Sequence, residues 1–413
     1  MAETLAGMFR SKVSKMKDHR MKAEAEFDIA YSTGFLSFDF LNGSVVHVKN
    51  ETMDFKYNSI GVPEGSLCTW IGRSGCGKST IVQQMAANII RPFPNAVIYE
   101  DMLEATGMND IRREVLSGFT HEEIKERYII RDRGITAENF YERIKMIHDM
   151  KLAERENFEY DTGLYDPMGN RIFKLEPTVY ILDSLALLMP EAYATEDELS
   201  GNMAATATAR VIAGIFRRLC GMLKAANIIL FVVNHINQKV STSIFPTKAD
   251  LSYLKQDETV PAGRGPLYAS TLICRLDDHS KLKENEGFNV AGTMVDLSIV
   301  KSRNSSPGRK VTLVYTYDHG FDQNLSLYQL LKDNGRIGGA GAFLYIGEHN
   351  DIKFAQKNFL EKLAENQTLQ QYFMEEVLAV LQTLINDGTT DELNENKKVD
   401  ITSQLLGQLT PVA

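Results

Sequence analysis

The sequence predicts an α/β fold with a mostly parallel central sheet, on three observations. Short apolar runs alternate with stretches of helical periodicity along most of the chain. One glycine-rich segment sits between such a run and such a helix, at Gly72–Ser79. Two further runs, Thr178–Leu182 and the β-branched Ile228–Val233, have the composition of buried strands joined by helices.

The elements follow in order. Residues 1–30 mix Lys, Arg, Glu and Met without turn chemistry and predict a helical arm. Ser32-Thr33-Gly34 is a turn into the apolar segment Phe35–Leu41, and residues 44–60 alternate as a hairpin would. The turn Gly61–Gly65 leads into a strand at Ser66–Ile71, followed by a helix at Thr80–Ile90 and a short strand at Ala96–Tyr99. Ala137–Lys151 is helical, with Phe140, Ile144 and Ile147 on one face, and Ala204–Ala225 is a long helix. Leu272–Leu276, Met294–Val300 and Lys310–Thr316 are strands with fewer helices between them. Beyond the glycine-rich patch Gly335–Gly341, helical stretches near 355–365 and 372–384 predict a small C-terminal helical region. The expected division is an arm at 1–30, a core at 31–346 and a C-terminal region at 347–413.

A length of 413 residues suits one large core with attachments. The 44% hydrophobic and 24% charged fractions are those of a globular protein, and no apolar run is long enough to cross a bilayer. The charged N-terminus has no signal core, so a cytoplasmic location is expected. Cys68, Cys76, Cys220 and Cys274 are too scattered for a metal site or a disulfide framework. A net charge of -9 argues against a surface coated in basic residues, though not against a local basic channel.

Gly72-Arg73-Ser74-Gly75-Cys76-Gly77-Lys78-Ser79 matches the whole P-loop pattern in its required setting, a strand before and a helix after. The glycines let successive N–H groups turn toward phosphates, and the helix adds its positive end at Lys78, Ser79 and Thr80. Lys78 can reach the β- and γ-phosphates of ATP, and the Ser79 hydroxyl is a Mg2+ ligand. Asp183, closing the strand Thr178–Leu182, is the acidic group that orients the metal or its water. Hydrolysis needs a carboxylate to position water. The strand ending Tyr99-Glu100-Asp101-Met102-Leu103-Glu104 offers two candidates, Glu104 and Glu100.

From about Ser32 to Ile346 the chain resembles bacterial RecA and related phage recombinases, which implies a RecA-type P-loop NTPase core. Ser32–Asp39 is similar to the family's opening Ser-Thr-Gly motif, and Val179–Pro190 to its magnesium-site strand and first DNA-binding loop. Ile229–Val240 resembles the strand that ends in a phosphate-sensing polar pair and opens the second DNA-binding loop. Here the pair is Asn234 and His235, where the family usually has glutamine second. Val300–Asn304 looks like the segment whose basic residues, here Lys301 and Arg303, reach the nucleotide of the neighbouring subunit. Tyr268-Ala269-Ser270 and Gly338–Ala342 also have family counterparts. The longer link at 42–61, a hairpin insertion at 153–177 and the displaced carboxylate at Glu104-Ala105-Thr106 depart from the bacterial pattern. They look more like a divergent bacteriophage recombinase, which would work in the host cytoplasm.

The loops at about 188–202 and 237–265 leave one edge of the sheet, where open α/β sheets gather ligands. The second carries Lys239, Lys248, Lys255 and Arg264 with Phe245 and Tyr253 between them, alongside Asp250, Asp257 and Glu258. Its composition alone barely exceeds that of a bland surface loop. The resemblance implies ATP-dependent filament assembly on single-stranded DNA, pairing with double-stranded DNA, strand exchange, and partners such as single-strand-binding or mediator proteins. A replicative helicase of the same fold and a regulatory paralogue with weak ATPase activity are the alternatives.

Overall fold

The computed structural model describes residues 29–49, 54–104, 109–132, 135–165, 171–194, 201–238, 249, 251–284 and 287–385. Most of the expected arm, the hairpin tip, the basic and aromatic residues Lys239, Phe245 and Lys248, and the end of the C-terminal region lie outside them.

Strand β1 (Ala30–Tyr31) pairs with β4 (Val62–Pro63), so the last residue assigned to the arm belongs to the core. Between them β2 (Ser44–Lys49) and β3 (Asp54–Ser59) form the expected hairpin. The central sheet contains β5 (Leu67–Gly72), β6 (Ile98–Met102), β7 (Tyr128–Asp132), β10 (Thr178–Asp183), β11 (Ile228–His235), β14 (Leu272–Leu282), β15 (Gly292–Ser302), β16 (Arg309–Thr316) and β17 (Gly320–Asp322). Their spatial order is β17-β16-β15-β14-β5-β11-β10-β6-β7. From β14 to β7 every pairing is parallel, and from β14 to β17 every pairing is antiparallel. The insertion forms β8 (Glu159–Tyr165) and β9 (Arg171–Leu175). Its base does not simply protrude: the Tyr160 ring packs 4.8 Å from Phe93, and Lys174 pairs with Glu64 at 2.7 Å.

Strands β5 and β10 are buried at every position, because helices cover both faces of the sheet. Ile98, Val179, Ile181, Phe231 and Val233 face the helix Lys78–Ile90, whereas Tyr99, Tyr180, Leu182, Leu230 and Val232 face the helices Ala137–Ala153 and Gly201–Ala225. This period of two sends Asp183 to the same side as Ile181.

The Ser-Thr-Gly turn is a lock on the P-loop helix. Asp39 accepts from the Ser32 hydroxyl at 2.7 Å and from the Thr33 hydroxyl at 2.6 Å, and Asn88 of that helix donates to the Thr33 carbonyl at 2.9 Å. Gly34 has φ +78°, and a Cβ there would stand 2.1 Å from the Asn88 amide, so the turn tolerates only glycine.

The C-terminal helices Phe359–Glu365 and Gln367–Leu384 follow the small sheet of β18 (Ile337–Gly338), β19 (Leu344–Ile346) and β20 (His349–Phe354). They are not a separate body. Phe359 lies 4.7 Å from Tyr328 and 5.3 Å from Phe373, inside the same apolar cluster as the sheet. Among the described residues no helix is long and apolar enough to cross a membrane.

Candidate nucleotide site

Strand β5 delivers the P-loop at the C-terminal end of the sheet. Gly72 sits so close to its neighbours that a Cβ would meet the Leu276 carbonyl at 2.6 Å. Gly75 and Gly77 have φ of +83° and +86°, the left-handed backbone that turns N–H groups inward. No side chain caps the helix Lys78–Ile90, so its first N–H groups are left to the loop. Lys78 is buried, and its ammonium donates to the carbonyls of Gly72 at 3.1 Å and Arg73 at 2.8 Å. Arg73, Ser74 and Gly75 form the exposed lip, while Cys76 and Thr80 pack inward.

Asp183 closes β10 and is 1% exposed, yet neither carboxylate oxygen has a hydrogen bond of good geometry, although the Ser79 hydroxyl lies alongside. Burial pushes the carboxyl up to about 6, against the pull of Ser79 and the Lys78 charge. A buried carboxylate with only the Ser79 hydroxyl beside it fits a hard divalent cation, for which Ser79 would supply the adjoining oxygen. The same reasoning predicts the behaviour of Asp183→Asn. A carboxyl whose folded pKa exceeds its unfolded value costs stability once ionised. That cost is absent below about pH 4, grows through pH 6 and is complete above it. Asp183→Asn should therefore stabilise the nucleotide-free protein by roughly 1–3 kcal/mol at pH 8, with the gain fading toward pH 4. Urea unfolding across pH is the measurement, and equal stability of the two proteins at pH 8 would contradict the account. The variant should also lose the stabilisation that Mg2+ adds to bound nucleotide.

Glu104 follows β6, which is held to the end of β10 by the Leu103 N–H on the Asp183 carbonyl at 2.6 Å. Its Oε1 accepts from the Ser184 hydroxyl at 2.8 Å and meets Nε2 of His235, the last residue of β11. Burial works to raise the Glu104 carboxyl, but those two contacts and the Lys78 charge outweigh it and hold it below the ordinary glutamate range. His235 pairs in register with Gly72, so β11 lies directly beside the P-loop strand. Lys78, Ser79, Asp183, Glu104 and His235 thus converge at the ends of four adjacent strands.

Other expected residues lie elsewhere. Glu100 is fully buried, and both its oxygens are engaged by Arg113, from Nη2 at 2.7 Å and Nε at 3.1 Å. Asn234 alternates to the face opposite His235; its amide donates to the Pro261 carbonyl at 3.1 Å and fastens the end of the second loop. Lys301 stands opposite Ile273, itself level with Thr69, and donates to the carbonyls of Leu267 and Tyr268 at 2.9 Å each. Arg303 binds Thr271 through its backbone N–H, level with the start of β5. Both basic residues are therefore at the opposite end of the sheet from their own P-loop.

Two features escaped sequence reasoning. Ser184 joins the Glu104 contact, and only the positions of two separate strand ends reveal it. Beside the P-loop, a Cβ on Gly77 would touch the Phe321 ring at 2.9 Å, and Phe321 packs at a tilt against Tyr315, 5.0 Å between ring centres. Tyr317 follows, edge to face with Tyr315 at 5.9 Å and 53% exposed, so that its ring offers an apolar face suited to an aromatic base. The alternating Tyr-Thr-Tyr at the end of β16 was the available signal.

Comparison with known proteins adds a family to this geometry. Residues 176–322 match the RecA N-terminal domain, a span that holds Asp183, Asn234, His235, Lys301 and Arg303. The P-loop and Glu104 precede it and are recognised by motif and position. The RecA protein of Pseudomonas putida is 30% identical over 189 residues, 46% of this chain and 49% of its own. That of Mycoplasma mobile is 24% identical over 204 residues, 49% of this chain and 56% of its own. That of Acholeplasma laidlawii is 24% identical over 171 residues, 41% of this chain and 46% of its own. The chain spans about half the length of the curated relatives it matches, and over that shared part it is similar to the RecA family.

Proposed function

We propose that this chain is an ATP-dependent DNA recombinase that assembles as a filament on single-stranded DNA and promotes homologous pairing and strand exchange. The observation that carries the reading is the contact of His235 with Glu104 at the mouth of the P-loop, two residues before the second loop begins. A group that contacts the water-positioning carboxylate and also anchors a DNA-binding loop can make DNA affinity respond to the γ-phosphate. Mg2+ held by Ser79 and Asp183 would offset charge on the β- and γ-phosphates. Lys78 binds the same oxygens, Glu104 orients the attacking water, and Tyr317 offers its ring to the base.

The placement of Lys301 and Arg303 supports a nucleotide shared between copies. Each would serve the P-loop of a neighbouring copy, whose phosphates they would face across the interface. Electron microscopy of the protein with single-stranded DNA, with and without a non-hydrolysable ATP analogue, tests the assembly. Nucleotide-dependent filaments are expected, and closed rings with helicase activity would displace the reading.

His235→Ala should retain nucleotide binding but lose most of the ATP-induced rise in single-stranded DNA affinity, a coupling typically worth about 5–150-fold. The ratio of DNA dissociation constants with and without nucleotide, at fixed salt, is the measurement. A ratio equal to that of the unmodified protein would remove His235 from the coupling.

A further inference from the structure

The second loop leaves the sheet through β12 (Asn237–Gln238) and returns through β13 (Glu258–Thr259), and the two strands pair with each other. Glu258 on β13 is fully buried, and a carboxylate there needs partners. Arg275 of β14 supplies two, from Nη1 to Oε2 at 2.7 Å and from Nη2 to Oε1 at 3.0 Å. The Lys255 N–H adds a third on Oε2 at 2.9 Å. Arg275 is held in turn by Asp277, at 2.6 and 2.9 Å, and by the Tyr253 carbonyl at 2.9 Å. This fork-to-fork clamp fastens the returning end of the loop to the sheet.

One further contact leads to the P-loop. Arg73, its second residue, places Nη2 3.8 Å from Oε1 of Glu258, with its side chain 53% exposed. The separation is too long for a hydrogen bond, and Arg275 already balances the Glu258 charge. Arg73 is therefore held weakly and by charge alone. It also stands on the lip of a loop built for phosphates, and a triphosphate would be a stronger and less shared anion than Glu258.

We infer that Arg73 is a phosphate-responsive latch, which holds β13 to the P-loop through Glu258 and turns to the polyphosphate of a bound nucleoside triphosphate, loosening the turn that leads into β13. The inference rests on the nucleotide-site reading above. It adds a route of coupling separate from His235, because His235 precedes the loop and Glu258 lies where it returns. The Arg275 clamp persists when Arg73 leaves, since Arg275 keeps Asp277 and Glu258. The released motion is thus confined to the turn before β13.

Hydrogen–deuterium exchange of residues 251–259 in the full chain tests it, with and without saturating Mg2+ and adenylyl imidodiphosphate. Saturation is verified for each protein with a fluorescent nucleotide. The unmodified protein should exchange about two- to fivefold faster there when nucleotide is bound, the scale of one exposed ion pair. Arg73→Gln, and Glu258→Gln, which leaves the P-loop intact, should exchange at the faster rate already without nucleotide and gain nothing on saturation. An unmodified protein that shows no change would overturn the latch. So would Arg73→Gln that keeps both the slow rate and the nucleotide response, or loosening in Glu258→Gln alone, which would implicate Arg275 instead. Failure of the recombinase reading has its own signature: single-stranded DNA affinity indifferent to nucleotide while the exchange response persists.

Discussion

Lys78→Ala should lower ATP turnover by at least about 100-fold and remove most nucleotide binding, because it deletes a cation fixed inside the phosphate cradle. The ammonium of Lys78 is already positioned by the Gly72 and Arg73 carbonyls, so its charge is pre-organised rather than recruited from solvent. The fold should survive. The helix Lys78–Ile90 is anchored by Ile81, Val82, Met85 and Ile89, which are buried in the main cluster. Steady-state hydrolysis and equilibrium binding of a fluorescent nucleotide, measured on a variant with native circular dichroism, are the checks. Near-normal turnover would defeat the P-loop assignment.

Glu104→Gln should leave nucleotide binding nearly intact and lower turnover by about 100-fold or more, the usual scale for losing a positioned base. Glutamine can still accept from Ser184 and His235, so the local structure is kept while the carboxylate is lost. Glu100→Gln provides the contrast. Its carboxylate lies in a bidentate ion pair with Arg113, and half-breaking a buried pair costs stability, about 3–5 kcal/mol. The expected pattern is slow turnover with ordinary stability for Glu104→Gln, and reduced stability with substantial turnover for Glu100→Gln. The reverse pattern would transfer the water-positioning role to Glu100.

The elements legible in the sequence were those with long, uniform physical signals. Helix Ala137–Ala153 was visible because Phe140, Ile144 and Ile147 repeat on one face, and β11 because its first six residues, Ile228–Val233, are all apolar and mostly β-branched. Strand β7 and the helices Asp110–Ser117 and His121–Arg127 were missed. They are short and carry many charges, and their apolar content is too small to set a period. Their caps were nonetheless written in the chain: Asn109 accepts from the Arg112 N–H, and Thr120 with Glu123 forms a capping box.

What the sequence determined by itself is the P-loop and the strand and helix that flank it. A P-loop is a local object: eight consecutive residues and the strand and helix beside them set its backbone, so its motif is sufficient to specify it. Which carboxylate lies beside that loop was not local. Glu100 and Glu104 are four residues apart, and nothing in their immediate sequence separates them. The tertiary structure separates them by what it brings near. Arg113, thirteen positions after Glu100, occupies one carboxylate, and His235 and Ser184, from two other strands, meet the other. Strand parity likewise divided Asn234 from His235, sending one amide to Pro261 and one imidazole to the P-loop side. Contacts between distant strands depend on sheet order and register, and those emerge only when both faces of the sheet are packed at once.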